Sequence, residues 1–538
     1  MKKTIHNPVL KGFNPDPSIC RVGDDYYIAV STFEWFPGVQ IHHSKDLVNW
    51  RLVSNPLQRV SQLDMKGNPD SGGVWAPALT YADGQFWLIY SDVKVTGGAW
   101  KDVTNYLVTC TTIDGEWSEP IYMNGSGFDP SLFHDTDGRK WFVNMVWDQR
   151  SYNHSFYGIV LQEYDYKNRK LTGDKKVIFK GTELGLVEAP HIFKVKDYYY
   201  LITAEGGTKF EHAVTLARSK NVDGPYELHP QNPILTSWTY PLIPLQKAGH
   251  ASMVETQNGE WYLAHLMGRP TRLPGVPITQ SRGFCQLGRE TSIQKLYWED
   301  DWPYVVGGNK PSVEVEAPDL PEVKWPADYP TVDDFDEPKL NHHFNTLRIP
   351  FDKNLGCLTS RPGHLRLYGR QSFHSLFEQS LVARRWQSFT FTAETKLEFN
   401  PTSFQQQAGL VCYYNTKNWT SVHLTLSEKK GKVIDIMTCD RQRVSYPLGS
   451  DGQIPVPADV AAVYFRVDVE QMHYTFSYSF DGKTFTQIPQ KFDSYKLSDD
   501  YIEESGFFTG AFVGMHCIDT SGDRGAADFD YFKYEEKS

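Results

Sequence analysis

Three acidic residues of the 538-residue chain head short segments of similar design: Asp16 in Asp16-Pro17-Ser18-Ile19, Asp129 in Asp129-Pro130-Ser131-Leu132, and Glu188 in Glu188-Ala189-Pro190-His191. Any one of them alone reads as an acid that caps a turn before proline. Three at corresponding places in a repeat are another matter. Buried carboxylates are costly unless function or partners hold them, so carboxylates that converge mark a candidate functional site.

The elements that must bring them together are strands. Each segment leads through a turn to an aromatic and apolar run: Asp16-Pro17 to Tyr26-Tyr27-Ile28, Ala76-Pro77 to Phe86-Trp87-Leu88, Asp129-Pro130 to Trp141-Phe142-Val143, Ala189-Pro190 to Tyr199-Tyr200-Leu201, and His250-Ala251 to Trp261-Tyr262-Leu263. With Pro17, Pro77, Pro130, Pro190 and Ala251 taken as equivalent, the spacings are 60, 53, 60 and 61 residues. Asp-Gly-type turns such as Asp83-Gly84, Asp137-Gly138 and Asn258-Gly259 make each segment a β-hairpin. The period leaves room for a second hairpin, so five four-stranded sheets around an axis are expected: an all-β, five-bladed β-propeller over residues 1–308. In such a fold the innermost strands line a central channel, and ligands bind where these strands open onto one end. A stretch rich in Pro, Glu and Asp, 309–332, reads as an extended surface linker. Residues 333–538 alternate again, as in Phe389-Thr390-Phe391-Thr392-Ala393, which predicts an antiparallel β-sandwich of jelly-roll, lectin-like type.

Composition narrows the ligand. Lys plus Arg is 54 and Asp plus Glu 65, a net charge of -11 with no basic run, which argues against nucleic acid or an anionic membrane as partner. No apolar run approaches the length of a membrane span. Aromatic residues make up 14%, which suits strand cores and flat faces on which sugars stack. Seven cysteines, an odd number without metal-ligand spacing, indicate neither a disulfide framework nor a zinc site. The start, Met-Lys-Lys-Thr-Ile-His-Asn-Pro, has no apolar run of a secretory signal, so a cytoplasmic location is expected.

The motifs Phe13-Asn14-Pro15-Asp16-Pro17-Ser18, Gly127-Phe128-Asp129-Pro130-Ser131, Glu188-Ala189-Pro190-His191 and Leu287-Gly288-Arg289-Glu290-Thr291 resemble those of glycoside hydrolase family 43 β-xylosidases. The resemblance spans nearly the whole chain and includes Gly506-Phe507-Phe508-Thr509-Gly510 near the C-terminus. It implies removal of xylose from the non-reducing end of xylo-oligosaccharides with inversion, and release of α-L-arabinofuranose as a side activity. It also implies that Asp16 is the general base, Glu188 the general acid, and Asp129 the carboxylate that orients the sugar and raises the acid's pKa. Arg289 would clamp sugar hydroxyls; Phe33, Trp75 and Trp147 would wall the sugar; Phe508, favoured over Phe507, would close the pocket from the second domain. His250 would lie beneath the site, where relatives place a calcium or water cluster; no cofactor is required. The resemblance further implies a homo-oligomer, a dimer or tetramer. Gly is common in the family after the acid, whereas this chain has Ala189, a methyl group expected to matter little. Two other classes stay open: an endo-acting arabinanase, which would need an open groove, and a carbohydrate-binding propeller with a dead site, which retention of the three carboxylates and the arginine opposes.

Overall fold

The computed structural model describes residues 3–326, 330–502 and 507–537. It divides into two compact units: Met1–Met65, Ser71–Arg282 and Arg289–Asp328 form the first, and Lys66–Asp70, Gly283–Gly288 and Tyr329–Ser538 the second.

The first unit is a five-bladed propeller in which each blade is built from one continuous stretch of the sequence. Ser18–Val22, Asp25–Val30, Gln40–Ser44 and Arg51–Ser54 form blade one; Gly73–Ala82, Gln85–Val93, Val103–Cys110 and Ile121–Asn124 form blade two. Blade three is Ser131–His134, Lys140–Trp147, Phe156–Asp165 and Lys170–Phe179. Blade four is Glu188–Val195, Tyr198–Glu205 and Ala213–Ser219, finished by Glu227–Leu228 and Leu235–Thr236. Gln246–Glu255, Trp261–Gly268, Glu290–Glu299 and Trp302–Val305 form blade five.

Among the described residues no strand is exchanged between the first and last blades; the ring is closed by packing, by side-chain hydrogen bonds and by backbone bonds from the N-terminal segment to blade five, such as the Val9 N–H to the Thr291 carbonyl at 2.9 Å. Ile5, Leu10, Ile19 and Ile28 bury against Val254, Tyr262 and Ile293 of blade five. Ser252 supplies the polar link: its Oγ accepts the Ile19 N–H at 2.8 Å and donates to the Pro17 carbonyl at 2.9 Å. The same motif position works elsewhere in the ring. Ser18 Oγ accepts the Leu79 N–H of blade two at 3.0 Å, and Ser131 Oγ donates to the Pro190 carbonyl of blade four at 2.6 Å.

The segment expected as an exposed linker is part of this closure. Glu314–Glu316 pairs antiparallel with Thr4–His6, and Val315, Ala317 and Leu320 are buried in the seam between blades five and one. These three face the seam, whereas Val313 and Val332 of the same segment are exposed.

In the second unit, one sheet runs Gly356–Cys357, Leu365–Tyr368, Ala526–Glu536, Thr390–Glu398, Val463–Glu470, His473–Ser479 and Thr486–Asp493. The other runs Leu381–Arg385, Phe512–Asp519, Gln406–Asn415, Asn418–Ser427, Gly431–Asp440 and Arg443–Ser445. Alternation decides which residues meet: Val463, Phe465 and Val467 of the first join Ala408, Leu410 and Cys412 of the second in one core. The short segments 66–70 and 283–288 belong to this unit, tied in by Arg348 Nη2 on Asp70 Oδ1 at 2.9 Å and by the Ala511 N–H on the Gln286 carbonyl at 2.8 Å.

If Ser252 closes the ring, Ser252→Ala strands the buried Ile19 N–H and should cost about 1–3 kcal/mol. The expected readout is a lower urea midpoint at unchanged slope; an unchanged midpoint would show that Ser252 is not needed to close the ring.

Candidate active site

Five non-glycine residues sit at one repeat position with positive φ: Asp16 at 57°, Ala76 at 37°, Asp129 at 53°, Ala189 at 51° and His250 at 42°. This left-handed region costs an L-residue about 1–2 kcal/mol, so the fold holds a strained residue within or just before every innermost strand. The ladders slip there too, between Trp75 and Ala78, Glu188 and His191, and Gly249 and Ala251. The break in regular alternation lets this position and the one before it serve the channel mouth instead of the sheet.

The structure keeps the register set by Pro17, Pro130 and Pro190 and corrects the reading that the three acids are equivalent. Glu188 is not level with Asp16 and Asp129; Ala189 holds that position, and Glu188 stands one residue earlier, with Trp75, Phe128 and Gly249. Ala189 also matters more than its methyl suggests. It adopts the backbone conformation that glycine takes freely, and its N–H donates to Asp129 Oδ2 at 3.1 Å. In blade five the earlier position must be glycine: a Cβ on Gly249 would fall 1.8 Å from Cδ2 of His212, whose ring fills that space.

The three carboxyl groups are 5%, 6% and 5% exposed at Asp16, Asp129 and Glu188, and Arg289 is 3% exposed. Asp16 is the best held. Ser31 Oγ donates to its Oδ2 at 2.6 Å and itself accepts the Ala76 N–H at 2.7 Å. On the other side, Asp16 Oδ1 faces Arg289 Nη1 at 3.8 Å and His250 Nδ1 at 3.6 Å. Backbone fixes the arginine to this strand, since the Asn14 N–H donates to the Arg289 carbonyl at 3.0 Å. Glu188 differs: its carboxyl has no hydrogen-bond partner among the described residues. Burial first, then the charges of Asp129 and Asp16, carry its pKa well above the usual carboxylate range, against the pull of Arg289 and Lys101. Burial and Asp16 raise Asp129 as well. Of that pair, Asp129 receives the Ala189 N–H, which favours its charged form, so the arrangement favours protonation of Glu188 over Asp129.

Aromatic rings make a wall from blade one to blade three: Phe33 lies 6.1 Å from Trp75, Trp75 5.3 Å from Phe128, and Phe128 6.3 Å from Trp147, centroid to centroid. Arg289 Cζ is 5.8 Å from the Phe33 ring. Lys101 Nζ sits 4.7 Å from the Trp147 ring and 5.8 Å from that of Trp75. The structure thus brings Asp16, Asp129, Glu188, Arg289, His250, Phe33, Trp75 and Trp147 into one neighbourhood. Phe507 packs on the sandwich core, with Lys417 Nζ 5.0 Å over its ring; Phe508 is half-buried, and Gly506 lies outside the described residues. Sequence reasoning missed Ser31, Lys101, His212 and Phe128. Only Phe128 left a signal, by sharing the place of Trp75 before the left-handed residue.

The surroundings of His250 do not fit a resident calcium ion. Calcium takes six to eight oxygen ligands, whereas His250 offers a nitrogen beside one carboxylate oxygen already facing the Arg289 guanidinium. Among the described residues no group of three or more His, Cys, Asp or Glu could hold a metal ion.

A buried acid without a hydrogen-bond partner among the described residues, two further carboxylates and an arginine beside an aromatic wall form a site for acid–base chemistry on a neutral sugar. The family model for glycosyl hydrolases family 43 matches residues 5–303. The chain belongs to glycosyl hydrolase family 43. In this family 43 protein, residues 332–535 match the beta xylosidase C-terminal concanavalin A-like domain. It is 62% identical to a beta-xylosidase of Bacillus subtilis, over 99% of this chain and all of the relative. A xylosidase/arabinosidase of Humicola insolens is 49% identical over 98% of this chain and 97% of its own length. The crystal structure of a xylan beta-1,4-xylosidase from Bacillus halodurans superposes with a TM-score of 0.95 at 54% identity, covering 99% of this chain and all of that one.

The Lys101 ammonium favours the ionised form of Glu188 and so lowers its pKa. The protonated form is the active acid, so Lys101→Met should move the alkaline limb of the kcat/KM profile to higher pH. A limb that stays in place or moves down would mean that Lys101 does not act on Glu188.

Proposed function

We propose that this family 43 protein is an exo-acting, inverting β-xylosidase that releases D-xylose from the non-reducing end of β-1,4-linked xylo-oligosaccharides, with side activity on α-L-arabinofuranosides. The observation that carries this reading is the contrast between Glu188, buried, raised in pKa and without a hydrogen-bond partner among the described residues, and Asp16, buried and fixed by Ser31 and Arg289. The full-length likeness to named xylosidases supports the substrate, and the Humicola relative supports the side activity.

Inversion needs an ionised carboxylate on one face of the sugar to activate water and a protonated carboxyl on the other to protonate the leaving oxygen. Asp16 removes a proton from water as the oxygen attacks the anomeric carbon. Glu188 donates its proton to the glycosidic oxygen as that bond breaks. Asp129 repels charge on Glu188 and keeps it protonated until the bond breaks, while Arg289, with its fixed fork of donors, holds sugar hydroxyls. Phe33, Trp75 and Trp147 offer apolar faces to the ring. The part given to Phe508 rests on the family resemblance alone; Phe508→Ala is expected to weaken substrate binding with little change in stability. Residence in the cytoplasm is supported by seven cysteines that are all unpaired, as a reducing compartment keeps them. Assembly as a dimer or tetramer rests on the resemblance. The chemistry is complete with side chains, so a chelator should leave the rate unchanged.

Asp16→Asn and Glu188→Gln should each lower kcat on xylobiose by about 10²–10⁴-fold in a folded protein. Glu188→Gln should lose less on an aryl β-xyloside, whose leaving group needs little protonation. Near-normal cleavage of xylobiose by either variant would overturn the assignment.

A further inference from the structure

In every blade one residue of the second strand, or directly after it, pairs with the residue that precedes the left-handed position. Backbone fixes the correspondence: the Ser31 N–H donates to the Pro15 carbonyl at 3.2 Å and the Met145 N–H to the Phe128 carbonyl at 3.1 Å. Ser91 pairs with Trp75, Ala204 with Glu188 and Leu266 with Gly249. All five side chains are fully buried. The backbone place is common to the blades, but the side chain is not. Among the three blades that carry the carboxyl groups, only that of Asp16 has a hydroxyl here. The blade of Asp129 has a thioether and that of Glu188 a methyl group, neither of which donates a hydrogen bond. The serine of blade two turns elsewhere, donating from Oγ to Asn105 Oδ1 at 2.6 Å.

The bonds of Ser31 leave its proton one destination. Its Oγ accepts the Ala76 N–H at 2.7 Å and donates to Asp16 Oδ2 at 2.6 Å. The N–H polarises the hydroxyl, which strengthens the bond made to the carboxylate. Asp16 Oδ2 is thereby engaged, whereas Oδ1 accepts no hydrogen bond among the described residues: Arg289 Nη1 at 3.8 Å and His250 Nδ1 at 3.6 Å stand beyond that reach.

We propose that Ser31 is a positioning residue for the base: by holding Oδ2 it fixes the orientation of the Asp16 carboxylate and leaves Oδ1 as the oxygen that takes the water proton. This rests on the reading of Asp16 as the base. The proton passes to Oδ1 as the water oxygen bonds the anomeric carbon, and the Glu188 proton goes to the leaving oxygen as the glycosidic bond breaks. Fully buried, Ser31 has no surface to offer the sugar, so its loss slows the reaction without weakening binding.

The test is kcat and KM of the full chain, Ser31→Ala and Ser31→Cys on xylobiose and an aryl β-xyloside, with Asp16→Asn as reference. Cysteine keeps nearly the volume of serine but is a weak donor, so it separates the hydrogen bond from packing and stays informative where Ser31→Ala fails to fold. In each variant kcat should fall about 10-fold or more on both substrates alike, with KM held within about twofold. Equal loss on the two substrates marks a defect in the base, since a defect in the acid spares the better leaving group. A kcat within about twofold of wild type in either folded variant, or a loss confined to xylobiose, overturns the role of Ser31; an inactive Asp16→Asn then leaves the base reading intact. Near-normal cleavage by Asp16→Asn overturns both.

Discussion

Three carboxyl groups buried around one pocket cannot all be charged, and the rest of the propeller is arranged around that electrostatic constraint. Like charges in a dry site raise one another's pKa, and each acid answers with a different set of partners. Asp16 is given a hydroxyl, a guanidinium and an imidazole, and Asp129 a backbone N–H. Glu188 is given no hydrogen bond among the described residues, and so keeps the proton. An acid and a base thus arise from similar side chains by placement alone.

Holding that arrangement needs a scaffold that does not relax. Left-handed backbone at Asp16, Ala76, Asp129, Ala189 and His250 persists because neighbouring blades clamp it. One motif does both jobs: its acid faces the pocket, and the serine two residues later, in Asp16-Pro17-Ser18 and Asp129-Pro130-Ser131, bonds the backbone of the next blade. Ser252 does the same at the seam where the ring closes. Catalytic geometry and ring closure are therefore coupled through the innermost strands.

Much of this was legible in the sequence because the repeat is written in prolines and aromatic pairs at a nearly constant spacing. The propeller, the sandwich and the acids followed from it. The displacement of Glu188 by one residue was legible as well, since Glu188 stands two residues before Pro190 whereas Asp16 and Asp129 directly precede Pro17 and Pro130; what left no trace is that Ala189 and Asp129 occupy the same backbone state. Ser31 and Lys101 lie outside the repeat, one after a strand and one in a loop, and act only by proximity in space. The segment 309–332 reads as a linker because its few apolar residues are diluted by Pro and Glu, yet Val315, Ala317 and Leu320 join the seam between blades five and one. Membership of 66–70 and 283–288 in the second unit left no compositional trace.

The division of labour between Asp16 and Glu188 has one direct chemical consequence, the configuration of the sugar first released. If water activated by Asp16 attacks opposite the oxygen protonated by Glu188, proton NMR of xylobiose hydrolysis should show α-xylose accumulating from the non-reducing end before mutarotation supplies the β anomer. β-Xylose as the first product would require a covalent intermediate, and would contradict the roles assigned to both residues.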